Sequence, residues 1–431
     1  MPTALWYASP WRAWNHVNRA SKMKTAKKLP SYFSLSLNKL SEASFGKISE
    51  KANEAATAAA PKDLRTGGNL VTGMAVGAGG GTAGVQSKML SSVMPPFEFK
   101  NYKFAYKGGE IKLPGEQMDV LKRVKDGDFG VNAPSLLKNL NFGAMDLSGF
   151  NSAKLQSLTF VQKEDLGFFI NILLDDGSIN LSQNWEAWPA GKCGSDQSCY
   201  DAQRVKLEEI PTDTEAIAIA DQFAKDHNVN MSAFGTGEVT NYWQAAYDSA
   251  PDKTSYYLPE TVDVVYPLKI NDQYVYDEYS GAKQGLVISV HVKTKKVASM
   301  YGLTTQNYDT SSYGVETDVK KLISYAEAGG VNAYTAEGAK TETLDLGEPT
   351  YGFIKYYNFK DNKSEELLVP ALAFPINNPP KTDPNFNRKS VIIPLVKDII
   401  DERQPMLFQR ADTLTATATT ATATEPVKMV K

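Results

Sequence analysis

An α+β fold is what this sequence predicts: antiparallel sheets with packed helices in tandem duplicated units, between a disordered N-terminal arm and a disordered C-terminal tail. Three observations carry the prediction. Apolar and aromatic residues alternate with polar ones in several short runs, the period of half-buried strands. Two longer stretches show helical spacing behind a capping signal. The pattern that follows the first helix is echoed after the second.

Residues 1–66 read as a basic arm, partly helical or disordered. Before Glu42 there is no acidic residue, while Arg12, Arg19, Lys22, Lys24, Lys27, Lys28 and Lys39 give the head a charge of +7. The chain as a whole carries −3, so the remainder carries −10. An acidic body repels phosphate, which disfavours nucleic acid as a partner. Trp6, Trp11 and Trp14 suit the headgroup depth of a bilayer, so residues 1–41 are candidates for contact with a membrane surface. The alternative is an arm whose charge merely solvates it. SEKANEAATAAA (49–60) is compatible with a short solvated helix. Residues 67–95 are rich in Gly and Ser and read as a flexible linker. The chain has no run of about 18 strongly apolar residues, so no transmembrane helix is apparent, and no apolar segment of a signal peptide follows the tryptophans.

From 96 to 206 the sequence predicts a β-rich first unit. FEFKNYKFAY (97–106) places Tyr102, Phe104 and Tyr106 on alternate positions, as a half-buried strand does. GFFINILLDDGSINLSQNW (167–185) reads as a β-hairpin turning at Asp175-Asp176-Gly177, since glycine tolerates positive φ. The second unit, 207–310, opens with IPTDTEAIAIADQFAKDHNVN. Thr212 stands three residues before Glu215, the spacing of a capping box, and Ile217, Ala220, Phe223, Ala224 and His227 form one stripe. GLVISVHVKTKKVASMYGL (285–303) is a second hairpin. Leu286, Ile288, Val290 and Val292 share its buried face, and Val287, Ser289 and His291 lie on a face expected to be wetter. The third unit, 311–403, repeats the plan: Thr317 as N-cap, Val319, Leu322, Ile323 and Ala326 on one face, Gly329 as the stop. YYLPETVDVVYPLKIN (256–271) is echoed by ELLVPALAFPINN (366–378), each running through an aromatic-Pro-apolar triplet to Asn. Proline is confined to sheet edges, strand starts and bulges, so both runs are expected beside an edge. The tail, 404–431, is Thr/Ala-rich and too poor in large apolar groups to order itself.

The chemistry-bearing residues are sparse. The two cysteines, Cys193 and Cys199, have five residues between them in GKCGSDQSCY. Zinc needs three or four ligands, and the three histidines, His16, His227 and His291, are scattered. A redox pair favours closer spacing. A disulfide is the economical reading and two unpaired thiols in a loop the alternative. Such a bridge closes a short ring, worth roughly 2–2.5 kcal/mol, and implies an oxidising compartment. GAGGGTAG (77–84) matches a dinucleotide fingerprint only formally, because no strand-turn-helix unit surrounds it. Asp128-Phe129-Gly130 lacks the other parts of a kinase. His227 suits a helix C-terminus. Glu208-Glu209, Glu365-Glu366 and Asp401-Glu402 are sequence neighbours that point to opposite faces of a strand, which makes them solvated charges rather than acid-base pairs. No cofactor and no metal is expected. Aromatic residues remain: Trp185, Trp188, Trp243, Tyr256, Tyr257, Tyr274, Tyr276 and Tyr279 are candidates to line a binding groove, with core packing as the competing role.

The segments AIAIADQFAKDHNVN and YVYDEYSGAKQGLVISVHVKTKKVASMYGL resemble PepSY-like domains, in which a helix packs on a small antiparallel sheet. Residues 97–403 as a whole look like uncharacterised bacterial envelope proteins carrying such repeats. The resemblance implies binding or inhibitory modules outside the cytoplasm. The expected function is therefore a non-enzymatic, extracytoplasmic protein that recognises a protein or peptide. A glycan- or peptide-hydrolase using dispersed carboxylates and a structural surface protein are the rivals.

Overall fold

The computed structural model describes residues 35–48, 100–125, 157–330, 340–360, 363–380, 383 and 386–402. The chain divides into two units, 1–32 and 33–431, and all described residues belong to the second. The helical stretch at 49–60, the glycine-rich linker, the Asp-Phe-Gly triplet, most of the basic arm and the Thr/Ala tail lie outside them.

In chain order the strands are β1 (Ser36–Lys39), β2 (Lys100–Tyr106), β3 (Gln117–Arg123), β4 (Ser157–Val161), β5 (Phe168–Leu173) and β6 (Ser178–Gln183). Helices α1 (Gln197–Gln203) and α2 (Asp213–Asp226) follow, then β7 (Glu238–Thr240) and α3 (Tyr242–Ser249). Strands β8 (Thr261–Pro267), β9 (Lys269–Ile270), β10 (Gln273–Tyr276), β11 (Gly285–His291), β12 (Lys296–Thr304) and β13 (Asn307–Gly314) lead to α4 (Val319–Glu327). The last are β14 (Lys340–Leu346), β15 (Thr350–Lys360), β16 (Lys363–Pro375) and β17 (Ser390–Pro394).

Strand dominates, with a few helices laid on the sheets. A seven-stranded sheet runs β4-β5-β6-β12-β11-β8-β7 and is antiparallel throughout. An eight-stranded sheet runs β1-β13-β3-β16-β15-β10-β9, with β17 added on β16. That sheet is mixed, which corrects the expectation of antiparallel pairing alone: β1 lies parallel to β13 and β10 parallel to β15. β2 and β14 form a separate parallel pair. Sheet membership cuts across chain order, since β3 joins strands from 363–394 and β6 pairs with β12.

Both predicted hairpins are present, β5-β6 and β11-β12. Gly177 closes the first turn at φ +62°. In the second, Val287, Ser289 and His291 are the more exposed face as expected, but still buried, at 5–8% against 0% opposite. His291 lies against Trp188, ring centroids 5.3 Å apart, and the Ser299 hydroxyl donates to Ser289 at 2.8 Å. Across the other face lies α2, whose Ala216, Ala220 and Ala224 are fully or almost fully buried against β8, β11 and β12. Small side chains at helical spacing let the helix approach the sheet closely, while Ile217 and Phe223 pack at its flanks. The capping box forms as the spacing requires: Thr212 Oγ1 accepts from Glu215 N at 3.3 Å and Thr212 N donates to Glu215 Oε2 at 2.9 Å.

At α4 the cap is Asp318, not Thr317. Its carboxylate accepts from Lys320 N and Lys321 N, a negative charge at the positive end of the helix, while the Thr317 amide is already donated to Glu316. Gly329 ends the helix at φ +91°.

β16 overturns the edge expectation for 366–378. Residues 367–374 are buried without a break, the signature of a strand covered on both faces. β3 pairs with it at Leu367 and Leu368, and β17 takes over at Ala371. Pro370 stands between those partners on that side, where its missing N–H breaks no ladder, and its carbonyl accepts from Leu395 N at 2.9 Å. β8, by contrast, is the penultimate strand of its sheet.

Of the expected basic arm, residues 35–48 are described. Residues 35–48 are built into the eight-stranded sheet: β1 pairs with β13, and Ile48 is fully buried among Val120, Val396 and Ile399.

Candidate functional site

β7 is short because Gly235 and Gly237 precede it and α3 begins two residues after it. Among the described residues its only strand partner is β8, and Glu238, Val239 and Thr240 all line a cleft of about 750 Å³. The cleft is lined by β7, the start of α3, the start of β15, the end of β16, and Phe386, Asn387, Lys389 and Ser390.

The loop between β10 and β11 lines the cleft through Gly281, Ala282 and Lys283 and is fixed from within. Asp277 Oδ1 accepts from the amides of Tyr279 and Ser280 and from the Ser280 hydroxyl, and its other oxygen accepts from Gln284 Nε2. Gly281 sits at φ +64°, and a Cβ there would meet the Ser390 carbonyl at 2.1 Å, so only glycine lets loop and β17 touch. Lys389 N donates to Ser280 O at 2.6 Å across the same junction.

The ionisable groups of the lining are few. Lys283 donates to Glu238 at 2.6 Å and lies over the Tyr274 ring, 4.4 Å from its centre. The Tyr276 and Thr350 hydroxyls are 3.2 Å apart. The Tyr242 hydroxyl is pushed above its ordinary value by burial, then by the carboxylates of Asp277 and Asp263, so it stays a protonated donor at neutral pH. Glu238 is the one carboxylate among the described lining residues. The paired inward carboxylates that a hydrolase would need are not among them. What the cleft offers is the short strand β7, small apolar patches at Ala245, Ala282 and Ala373, and hydroxyl and ammonium donors.

The eight aromatic candidates divide. Tyr276 lines the cleft and Tyr274 lies beneath Lys283. Trp243 stacks edge-on with Tyr247, which meets Tyr256 in turn, and Tyr256 donates to the Trp243 carbonyl at 3.3 Å. Tyr257 is well exposed beneath the Arg204 guanidinium. Trp185 and Tyr279 are exposed. Trp188 is no surface residue: it is 1% exposed, packs with Ala187 and Ala298, and donates Nε1–H to Gly167 O at 2.9 Å. Of the eight, the cleft takes Tyr276 alone as lining, and the strand edge that defines it carried no aromatic signal.

Cys193 and Cys199 are joined as a disulfide, Cα atoms 5.4 Å apart. The bridge ties the short 3₁₀ turn Ala190–Cys193 to α1, whose N-cap Asp196 accepts from Ser198 N and Cys199 N. His227 is exposed at the end of α2 and stacks on Phe223.

A second polar centre escaped the sequence reading. Glu366, expected to be solvated, is buried and accepts from Arg123 Nε at 2.9 Å. Arg123 also donates Nη1 to Asp176 O and Nη2 to Asp176 Oδ1, each at 2.7 Å. Burial works to lower the Arg123 pKa, but Glu366 and Asp176 outweigh it and the net shift is upward. Burial likewise works to raise Asp176, and Arg123 and Lys125 bring it below its ordinary value. Glu365 pairs instead with Lys122, so these adjacent residues take different partners, and the one at Glu366 is buried.

Among the described residues no group of His, Cys, Asp and Glu is arranged to hold a metal, and no helix is long and apolar enough to cross a membrane. No family model matches the chain, and no curated protein matches it. Among solved structures it is similar to an uncharacterized protein from Eubacterium rectale ATCC 33656, at 12% identity, over 65% of this chain and 82% of that one, with a TM-score of 0.27.

Proposed function

We propose that this chain is a binding protein that receives an extended peptide segment of a protein partner in the cleft beside β7, adding it as a further strand. The carrying observation is that β7, paired with β8 alone among the described residues, contributes all three of its residues to the lining of a cleft of about 750 Å³. Strand addition draws affinity from main-chain hydrogen bonds and selectivity from pockets for alternate side chains. Tyr242, Lys283 and Lys389 supply donors along the route, which favours segments bearing a carboxylate or free backbone carbonyls. The disulfide is compatible with work in an oxidising, extracytoplasmic compartment, where PepSY-like modules of the kind the sequence resembles would serve as binding or inhibitory units.

Ala245 is exposed on α3 and lines the cleft. Ala245→Trp therefore fills the cleft without touching the core. Screened against a library of extended peptides, the native protein is expected to retain a subset, and the variant to lose it with an unchanged melting temperature. Retention of the same peptides by the variant refutes the assignment.

A further inference from the structure

Residues 35–48 reach the eight-stranded sheet from far away in the sequence, and the sheet treats them as a peptide. Ser36 N donates to Gln306 O, Leu40 N to Thr310 O and Ala43 N to Ser312 O, at 2.8 to 3.1 Å. The Tyr313 hydroxyl accepts from Phe45 N at 2.9 Å and donates to Gly46 O at 3.0 Å. All four residues of β1 are exposed. Recognition therefore rests on backbone and on two plugs: Phe45, stacked on Tyr313 and beneath Lys122, and the fully buried Ile48. This is the physics of an added strand, main-chain bonds with a few side-chain pockets.

Ile48 is separated from Lys100 by 51 residues, so the segment's place on β13 is set by its own contacts and not by a short connection. Vacating the groove exposes part of the core cluster that Ile48 shares with Val120, Val396 and Ile399 and leaves the β13 edge unpaired. An empty groove is thus unstable, and the ligand that matches it is an identical segment. We infer that residues 35–48 form an exchangeable strand, and that the groove along β13 accepts the same segment from a second copy of this chain. Exchange of an identical element conserves every contact, the low-cost route to a dimer. Concentration decides between the internal and exchanged forms, because a tethered segment competes through its effective concentration.

The register supplies the assay. Asn38 lies opposite Asp309, and Nδ2 donates to Oδ1 at 2.9 Å. Full-length Asn38→Cys and full-length Asp309→Cys are purified separately, mixed over a series of concentrations and left to oxidise. An interchain bridge between the two variants is expected, its yield rising with total concentration. Adding Phe45→Asp to the Asn38→Cys chain should lower the yield at least about tenfold by removing one plug. An excess of synthetic peptide spanning 35–48 should lower it likewise with no change to either protein. Absence of interchain product across the series overturns the inference, and so does product that neither the substitution nor the peptide reduces.

Discussion

At the scale of single residues, burial turns ordinary side chains into conditional ones. His291 sits on β11 under Trp188, and its Nδ1 accepts from Thr294 N at 3.2 Å. Burial, and then the Lys293 ammonium, hold its pKa below the ordinary histidine value. The unfolded chain therefore binds the proton more readily than the folded one. By linkage this costs stability as pH falls below the unfolded value, about 6.5, and nothing above it. Urea unfolding at pH 8 and pH 5 should show a loss on acidification, part of which His291→Gln removes. An equal acid loss in the variant would show that His291 is not a source of it. The sequence placed His291 on the less buried face of its hairpin. That face is covered from outside the hairpin, by a tryptophan more than a hundred positions away, and no local pattern encodes such a cover.

Elements form where local signals agree. α2 carries a complete capping box, an alanine stripe and a basic last turn, and it appears where these signals put it. Replacing the cap, Thr212→Ala, should cost about 1 kcal/mol, read as a lower midpoint in a denaturant titration with an unchanged slope. A much smaller loss would mean that packing of the alanine stripe alone sets the helix start. The same local logic located both hairpins. It failed for β16, because a continuous apolar run states that a strand is buried on both faces without stating between which neighbours. Pro370 reads as an edge signal in isolation. In the sheet it falls where β16 changes partner, and the missing N–H costs nothing.

For the whole molecule, the decisive contact joins the two large sheets. Arg123 ends β3 of one, and Asp176 turns the β5-β6 hairpin of the other. Glu366, on β16, completes the centre. The short passage from β12 to β13 runs beside it through the buried Thr305 and Gln306, and Thr305 N donates to Gly177 O. Arg123→Ala leaves the buried Glu366 with Lys355 alone, at 3.7 Å, and should cost about 3 kcal/mol. Arg123→Met together with Glu366→Leu should recover most of it, because an apolar pair of similar volume fills the same space without stranded charge. Equilibrium unfolding of the three proteins distinguishes these outcomes. If the double variant is no better than Arg123→Ala, the centre contributes geometry that apolar packing does not replace.

The sequence by itself determined the local order of this protein: where hairpins turn and where α2 begins. These follow from periodicity and turn chemistry, which act over a few residues. The tertiary structure alone decided which strands are neighbours and that residues 35–48 belong to a sheet edge near 310. It also decided that Glu366 is paired and not solvated, and that β7 lines a cleft. Each of these depends on groups tens to hundreds of positions apart, and their meeting is set by how the layers cover one another's apolar faces, a property of the assembled molecule.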